Sequence, residues 1–162
     1  MTNAISRPEY LTFLAAMKER ILQARASAGR AVNRELILLY WDIGRSIVEK
    51  QKEAGWGDSV VERLAADLRA EFPDMRGFSS SNLWRMRQFY IESSAPEFLA
   101  QAVPETEATA EGTHRCGRKA IMEQAVRELA AAVPWGHHVE LLKKIKDPLA
   151  RLYYLRATAR FG

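Results

Sequence analysis

Apolar residues recur at intervals of three and four along most of the chain, the spacing of helices that bury one face. In segment 9–28, Leu11, Leu14, Met17, Ile21 and Leu22 mark such a face, and Pro8 suits a first helical turn. The clearest stripe lies in segment 31–53, through Val32, Leu36, Leu39, Tyr40, Ile43 and Ile47. Ile37, Trp41 and Val48 widen it beyond one face, which predicts a central helix with room for a second helix from another chain. Gly55-Trp56-Gly57 stops this helix, and Asp58 is placed to cap the next. Segment 58–72 aligns Val61, Leu64, Leu68 and Phe72, and Pro73 ends it because proline cannot continue the helical ladder. After the connection Met75-Arg76-Gly77-Phe78, one of Ser79, Ser80 and Ser81 caps a helix carrying Leu83, Met86, Phe89 and Tyr90. Ser93-Ser94-Ala95-Pro96 breaks that helix.

Segment 94–118 differs in kind. Its stretch Pro104–Thr113 is small, acidic and turn-rich, too poor in apolar area to offset the entropy of ordering, which predicts an exposed, mobile linker. Helical spacing resumes at 119–133 with Met122, Val126, Leu129 and Val133. Pro134-Trp135-Gly136 interrupts it, and Val139, Leu142 and Ile145 mark a short helix. Asp147-Pro148 reads as a cap and first-turn proline opening a last helix with Leu149, Leu152 and Tyr153. No segment of useful length shows strand alternation, so the class is all-α, with about six to seven helices. The organisation expected is N-terminal helices over 1–93 with a helix-turn-helix-like unit at 58–91, the acidic linker 94–118, and C-terminal helices 119–162 packing on the same domain.

Composition adds limits. With 162 residues, 48% hydrophobic and 27% charged, the chain is long enough for one domain with its own core. A single cysteine, Cys116, leaves no intramolecular disulfide and no cysteine-rich zinc site. The apolar runs are too short for a membrane span, and the N-terminus carries no signal-like apolar stretch, so a soluble cytoplasmic protein without a membrane partner is expected.

The formal net charge is +4, and its distribution says more than its sum. Residues 94–116 carry four acidic and one basic side chain, while 117–162 carry nine basic and four acidic. Between Asp74 and Glu92 there are three arginines, Arg76, Arg85 and Arg87, and no acid. Lys143, Lys144 and Lys146 form a second basic cluster. Clustered positive charge suits phosphate, because neutralising phosphates releases condensed counterions. A short charge run taken alone is more often a solvated helix face.

Catalytic chemistry finds little support. Neighbouring helical residues point about 100° apart, so His137 and His138 are poorly placed to share a metal, and His114 has no ligand partner at useful spacing. Cys116 lies in the acidic segment without an evident helix start to activate it. Gly55-Trp56-Gly57 is not a phosphate loop, and the serine triplet 79–81 is better explained by capping than by a nucleophile elbow. A metal-dependent nuclease site of the acid-x-lysine type needs carboxylates for the metal and a lysine beside the attacked phosphate. None of the 20 acidic residues has a lysine two positions on, and the nearest imitation, Asp67-Leu68-Arg69, falls inside a helix. Neither catalytic residues nor a metal or cofactor are expected.

Binding finds more. Residues 58–91 read as helix, connection, helix, with Ser79, Ser80 and Asn82 near the second N-terminus and Arg85 and Arg87 beyond it. A helix-turn-helix reader places its polar groups in this way, and helix N-terminal amides favour phosphate. The connection exceeds the usual three- to four-residue turn, so the spacing taken alone favours an αα-hairpin with an exposed polar edge.

Several motifs then fall in a familiar order: Leu39-Tyr40-Trp41-Asp42-Ile43-Gly44, Gly55-Trp56-Gly57, Gly77-Phe78-Ser79 with Asn82-Leu83 and Met86-Arg87-Gln88-Phe89-Tyr90, Pro134-Trp135-Gly136-His137-His138, and Lys144-Ile145-Lys146-Asp147 with Tyr153-Tyr154-Leu155. Together they resemble the N-terminal domain of YhcG-like bacterial proteins, a domain of unknown function (family 1016), over about residues 10–160. Segment 94–118 departs from the helical, glutamine-bearing stretch of that family. The resemblance implies a helix-turn-helix-like domain that precedes a PD-(D/E)XK nuclease domain. The present chain ends at Arg160-Phe161-Gly162, about where the nuclease would begin, and with the missing signature this implies a non-enzymatic module: an excised domain, a truncated gene or a stand-alone relative.

The role implied is to recognise DNA, or to join subunits, a nuclease domain or another partner. The DNA-binding set expected is Arg76, Ser79, Ser80, Asn82, Arg85 and Arg87, with Lys143, Lys144 and Lys146 as an accessory phosphate patch. Tyr40, Trp41, Trp56, Trp135, His137 and His138 are family-motif or interface positions. For Trp135 the physical expectation is that it anchors helix 119–133 against the next, while a histidine caps that helix. The aromatic excess, Tyr153 and Tyr154 included, also suits a homodimer or a partner interface.

Overall fold

A helix of 48 residues, α1 (Arg7–Ala54), organises the protein. The structure, a computed structural model, describes residues 6–102 and 115–161. Ser6 caps α1 and forms a capping box with Glu9, Pro8 lies in the first turn, and Gly55 closes the helix in the left-handed conformation at φ 62°. The two helices expected at 9–28 and 31–53 are therefore one. Gly29 does not interrupt it, since one glycine costs only about 1 kcal/mol and alanines 24, 26, 28 and 31 surround it.

The helices that follow are α2 (Asp58–Glu71), α3 (Ser80–Ser93), α4 (Pro96–Ala102), α5 (Arg115–Ala131), α6 (Trp135–Lys144) and α7 (Pro148–Phe161). The class is all-α, and no strand occurs among the described residues. Gly57 holds the N-cap position of α2, and Asp58 is its first helical residue, so Asp58 acts through its charge at the helix start rather than as the expected cap. Ser79 caps α3, accepting from the backbone N–H of Asn82 at 3.2 Å. Asp147 caps α7 in the expected way, its Oδ2 accepting from the N–H of Ala150 at 2.8 Å.

Segment 94–118 is corrected at both ends. Residues 96–102 form α4, whose Phe98 and Leu99 are buried, and Cys116 falls in the first turn of α5 instead of in a linker. Acidic composition dominated the segment average and hid an apolar pair that suffices to dock one short helix. The acidic stretch Pro104–Thr113 lies outside the described residues.

Packing centres on α1 and α3. Gly44 permits their approach: a Cβ there would lie 2.2 Å from the carbonyl oxygen of Met86. Two apolar clusters flank this contact. One gathers Ile37, Trp41, Phe89, Phe98, Val126 and Leu152 from α1, α3, α4, α5 and α7. The other gathers Tyr40, Ile47, Val61, Phe78, Leu83 and Met86 from α1, α2, α3 and the connection before α3. Trp135 packs against both. Polar ties reinforce the join of α1 to the C-terminal helices, with Arg34 meeting Glu128 at 2.7 Å and Arg127 meeting Asp42 at 2.6 Å.

The first half of α1 takes no part in this core. No residue from Ser6 to Leu36 is buried, and Tyr10, Phe13, Ile21, Leu22 and Val32 are each more than half exposed. We refer to this part as the arm.

Candidate functional site

Helices α2 and α3 pack on each other across the eight-residue connection 72–79, which Gly77 turns at φ 121°. A Cβ on Gly77 would meet the Tyr40 hydroxyl at 2.4 Å, so both conformation and space require glycine here. Leu83, Met86 and Phe89 fix the inner face of α3 in the core. The outer face carries Ser81, Arg85 and Gln88, and Arg76 is exposed on the connection that leads to it. At the other end, Lys146 lines a small cleft with Gln88, Glu92 and Arg151.

The expected recognition residues therefore divide. Arg76 and Ser79 are exposed, and Ser80 and Arg85 are half-buried. Asn82 is buried and committed internally: its amide donates to the carbonyl of Gly77 at 2.6 Å and its Oδ1 accepts from the Trp135 indole at 2.9 Å. Its role is to hold the connection and α6 together, because an amide that faces inward serves two backbone-fixed partners at once. Arg87 donates to Gln51 and lies over the Trp84 ring at 5.5 Å, which fixes it against α1. Lys143 and Lys144 are exposed but both approach Glu140, which holds that carboxyl below its usual range, while Lys146 is exposed.

The aromatic motif positions converge. Tyr40 and Trp135 meet edge to face at 4.9 Å, and Phe89 lies 5.5 Å from both Trp41 and Trp135. His138 is buried beside Phe89 and Trp135. Its Nε2 meets the carbonyl of Ala130 at 2.9 Å, so it caps the last turn of α5 as expected of one of the two histidines. Burial pushes its pKa down to about 4, and it is neutral near pH 7. His137 is exposed and Trp56 half-buried. Most of this motif set therefore builds core, with Trp56 left at the rim of a groove.

That groove was not anticipated from sequence. The α2 backbone packs on α3 and stands off α1, leaving an apolar trough of about 620 Å³. Leu39, Ile43, Leu64, Leu68, Phe72 and Met75 line it, with Trp56 at the rim. Leu39, Phe72 and Met75 are each at least 40% exposed. The available signal was Phe72 and Met75, large apolar residues in a connection where polar ones are usual.

Another feature absent from the sequence reading is the pairing of Arg151 with Glu92, which joins α7 to α3. Arg151 is buried and also donates to the carbonyl of Ile145 at 2.9 Å. Among the described residues no cluster of His, Cys, Asp and Glu has the size or arrangement of a metal site, and no helix is long and apolar enough to cross a membrane.

The described residues thus form an all-helical body with a polar helix edge and an apolar trough. Residues 16–109 match the DUF1016 N-terminal domain, and the chain belongs to that family. It is similar to "Putative nuclease YhcG" of Escherichia coli (strain K12), with 29% identity over 151 residues. That match covers 86% of this chain and 38% of the relative, so the chain spans well under half of the relative's length. No solved structure matches significantly.

Proposed function

We propose that the chain is a non-catalytic DNA-contacting module of the bacterial cytoplasm, in which α2 and α3 act as a helix-turn-helix-like pair. The carrying observation is the solvent edge of α3. It runs from Arg76 and Ser79 past Ser81, Arg85 and Gln88 to Lys146, and the first acid on α3, Glu92, is already paired with Arg151. Along α3 itself this edge presents donors and positive charge with no acid before Glu92, and the N-terminal amides of α3 add to it. The proposed contacts are Arg76, Ser79, Arg85 and Lys146, with Ser80, Arg87, Lys143 and Lys144 in support. The similarity to a protein named as a nuclease agrees with a DNA partner.

Duplex binding measured across salt tests this. An Arg76→Ala/Arg85→Ala variant should bind more weakly and lose roughly 2 from the salt slope, about one per phosphate contact. Arg63→Ala on α2, which is exposed and is not among the proposed contacts, should leave the slope unchanged. No binding by the wild type, or equal slopes for wild type and the double variant, overturns the assignment.

A second reading, that the domain joins partners, is favoured by the exposed apolar arm. The portion of YhcG that this chain does not cover, supplied as a separate chain, should then be retained by the module.

A further inference from the structure

Among the described residues the arm and the trough are two apolar features without partners, and they lie on one line. Along α1, Tyr10, Leu14, Met17, Ile21, Ala28 and Val32 are separated by three, four or seven residues and share one side of the helix. The same spacing continues to Leu39 and Ile43, which form one wall of the trough. This stripe is distinct from the α1 surface that carries Ile37, Trp41, Gly44 and Val48 into the core.

Charge distinguishes the two features. From Arg7 to Arg34 the arm has six basic and two acidic side chains. From Asp58 to Asp74, the other wall and its extension have five acidic and two basic. The placement is specific as well. Lys18 and Arg25 follow Leu14 and Ile21 by four residues and flank the arm's stripe, while Asp67 and Glu71 follow Leu64 and Leu68 by three and flank the trough. Arm against arm would oppose like charges, whereas arm against trough pairs opposite ones.

We infer that the occupant of the trough is the arm of a second copy of this chain, exchanged reciprocally in a two-fold dimer. Antiparallel alignment of two α1 helices with Ile21 opposite Leu39 sets Leu14 opposite Ser46 and puts the symmetry axis near residue 30. Residues 26–31 there are Ala, Ser, Ala, Gly, Arg and Ala; helical spacing sets Arg30 on the side of α1 opposite the Ile21–Leu39 stripe, and a Cβ on Gly29 would touch nothing. Small residues at the crossing let two backbones approach while each arm reaches the other's trough. One patch then serves as both halves of an isologous interface, as two-fold symmetry requires. The inference rests on the joining role given above as the second reading, and it does not depend on DNA contact.

Sedimentation of the full chain tests it. The wild type should run at twice its 18.4 kDa mass at micromolar concentration. Tyr10→Glu/Ile21→Glu on the arm and Leu39→Glu/Met75→Glu in the trough alter exposed side chains, so both variants should keep the wild-type helical circular dichroism and sediment as monomers. Mixed in equal amounts, the two should recover a dimer, because one intact arm then meets one intact trough. A trough variant that stays dimeric while the arm variant is monomeric indicates arm-to-arm pairing and overturns the exchange. So does a dimeric arm variant, or a mixture that stays monomeric. A monomeric wild type also overturns it. If that monomer still retains the separately supplied portion of YhcG, the joining role stands with another occupant, and if it does not, both fail.

Discussion

Acid should loosen the protein through one side chain, His138. Its imidazole is sealed among Phe89, Trp135 and the end of α5, with Nε2 on the carbonyl of Ala130, and its pKa falls from the ordinary 6.5 to about 4. The unfolded chain takes up this proton as pH falls through about 6.5, while the folded chain resists until about 4. Between those values the unfolded state binds more protons, so stability declines with falling pH. Those two pKa values place the loss between pH 7 and pH 5 at about 2 kcal/mol, on the linkage scale of roughly 1.4 kcal/mol per unit. The assay is urea unfolding followed by circular dichroism at both pH values, for wild type and for His138→Gln. Glutamine can still donate to the Ala130 carbonyl but does not titrate. His114 and His137 are common to both proteins, so the contrast isolates His138. The wild type should lose about 2 kcal/mol more than the variant over this interval, whatever the variant's stability at pH 7. Equal losses refute the reasoning, as would a His138 imidazole resonance that titrates near pH 6.5 in the folded wild type.

Other perturbations have defined signs. Gly44→Ala would drive a methyl into the Met86 backbone, and overpacking of about 1–3 kcal/mol should outweigh the roughly 1 kcal/mol gain in helix propensity and lower the urea midpoint. Gly77→Ala should destabilise by more than about 1 kcal/mol, since the left-handed backbone and the Tyr40 hydroxyl both oppose a Cβ, and thermal unfolding would register it. Arg151→Met leaves Glu92 without its cation and should cost about 2–3 kcal/mol, with Glu92→Gln in the same chain recovering part of the loss in urea titrations. Trp135→Phe keeps the aromatic packing but leaves the Asn82 Oδ1 unpaired, a loss of about 1–2 kcal/mol measurable by the same titration.

The helices were legible because their apolar stripes are local, and so were Ser79 and Asp147 as caps. The joining of two predicted helices into α1 was not, because Gly29 weakens a helix by less than the surrounding alanines and the capped ends sustain. Helix α4 was hidden because two buried residues, Phe98 and Leu99, carry little weight in a window dominated by acids and small residues. At the candidate site, sequence identified Arg76 and Arg85 as residues near the start of α3. It could not tell that Asn82 turns inward, since that depends on Gly77 and Trp135, which lie on opposite sides of it in sequence and meet only in three dimensions. The trough has the same origin: it is a separation between helices, and no periodicity within one helix reports the distance to another.

Asn33 marks where α1 changes character. Its side-chain amide reaches the carbonyls of Ala131 and Val133, and beyond it toward the N-terminus no residue of the helix is buried. One uninterrupted hydrogen-bonded rod thus spans two regimes of protection. Amides beyond about residue 37 are shielded by the global unfolding barrier, while those of the arm in a lone chain open by fraying at small free-energy cost. A deuterium-exchange profile along this single helix would therefore fall steeply within about two turns of Asn33. Anything that seats the arm would move that boundary toward Ser6, so the position of the step is an intrinsic reporter of assembly that requires no added label.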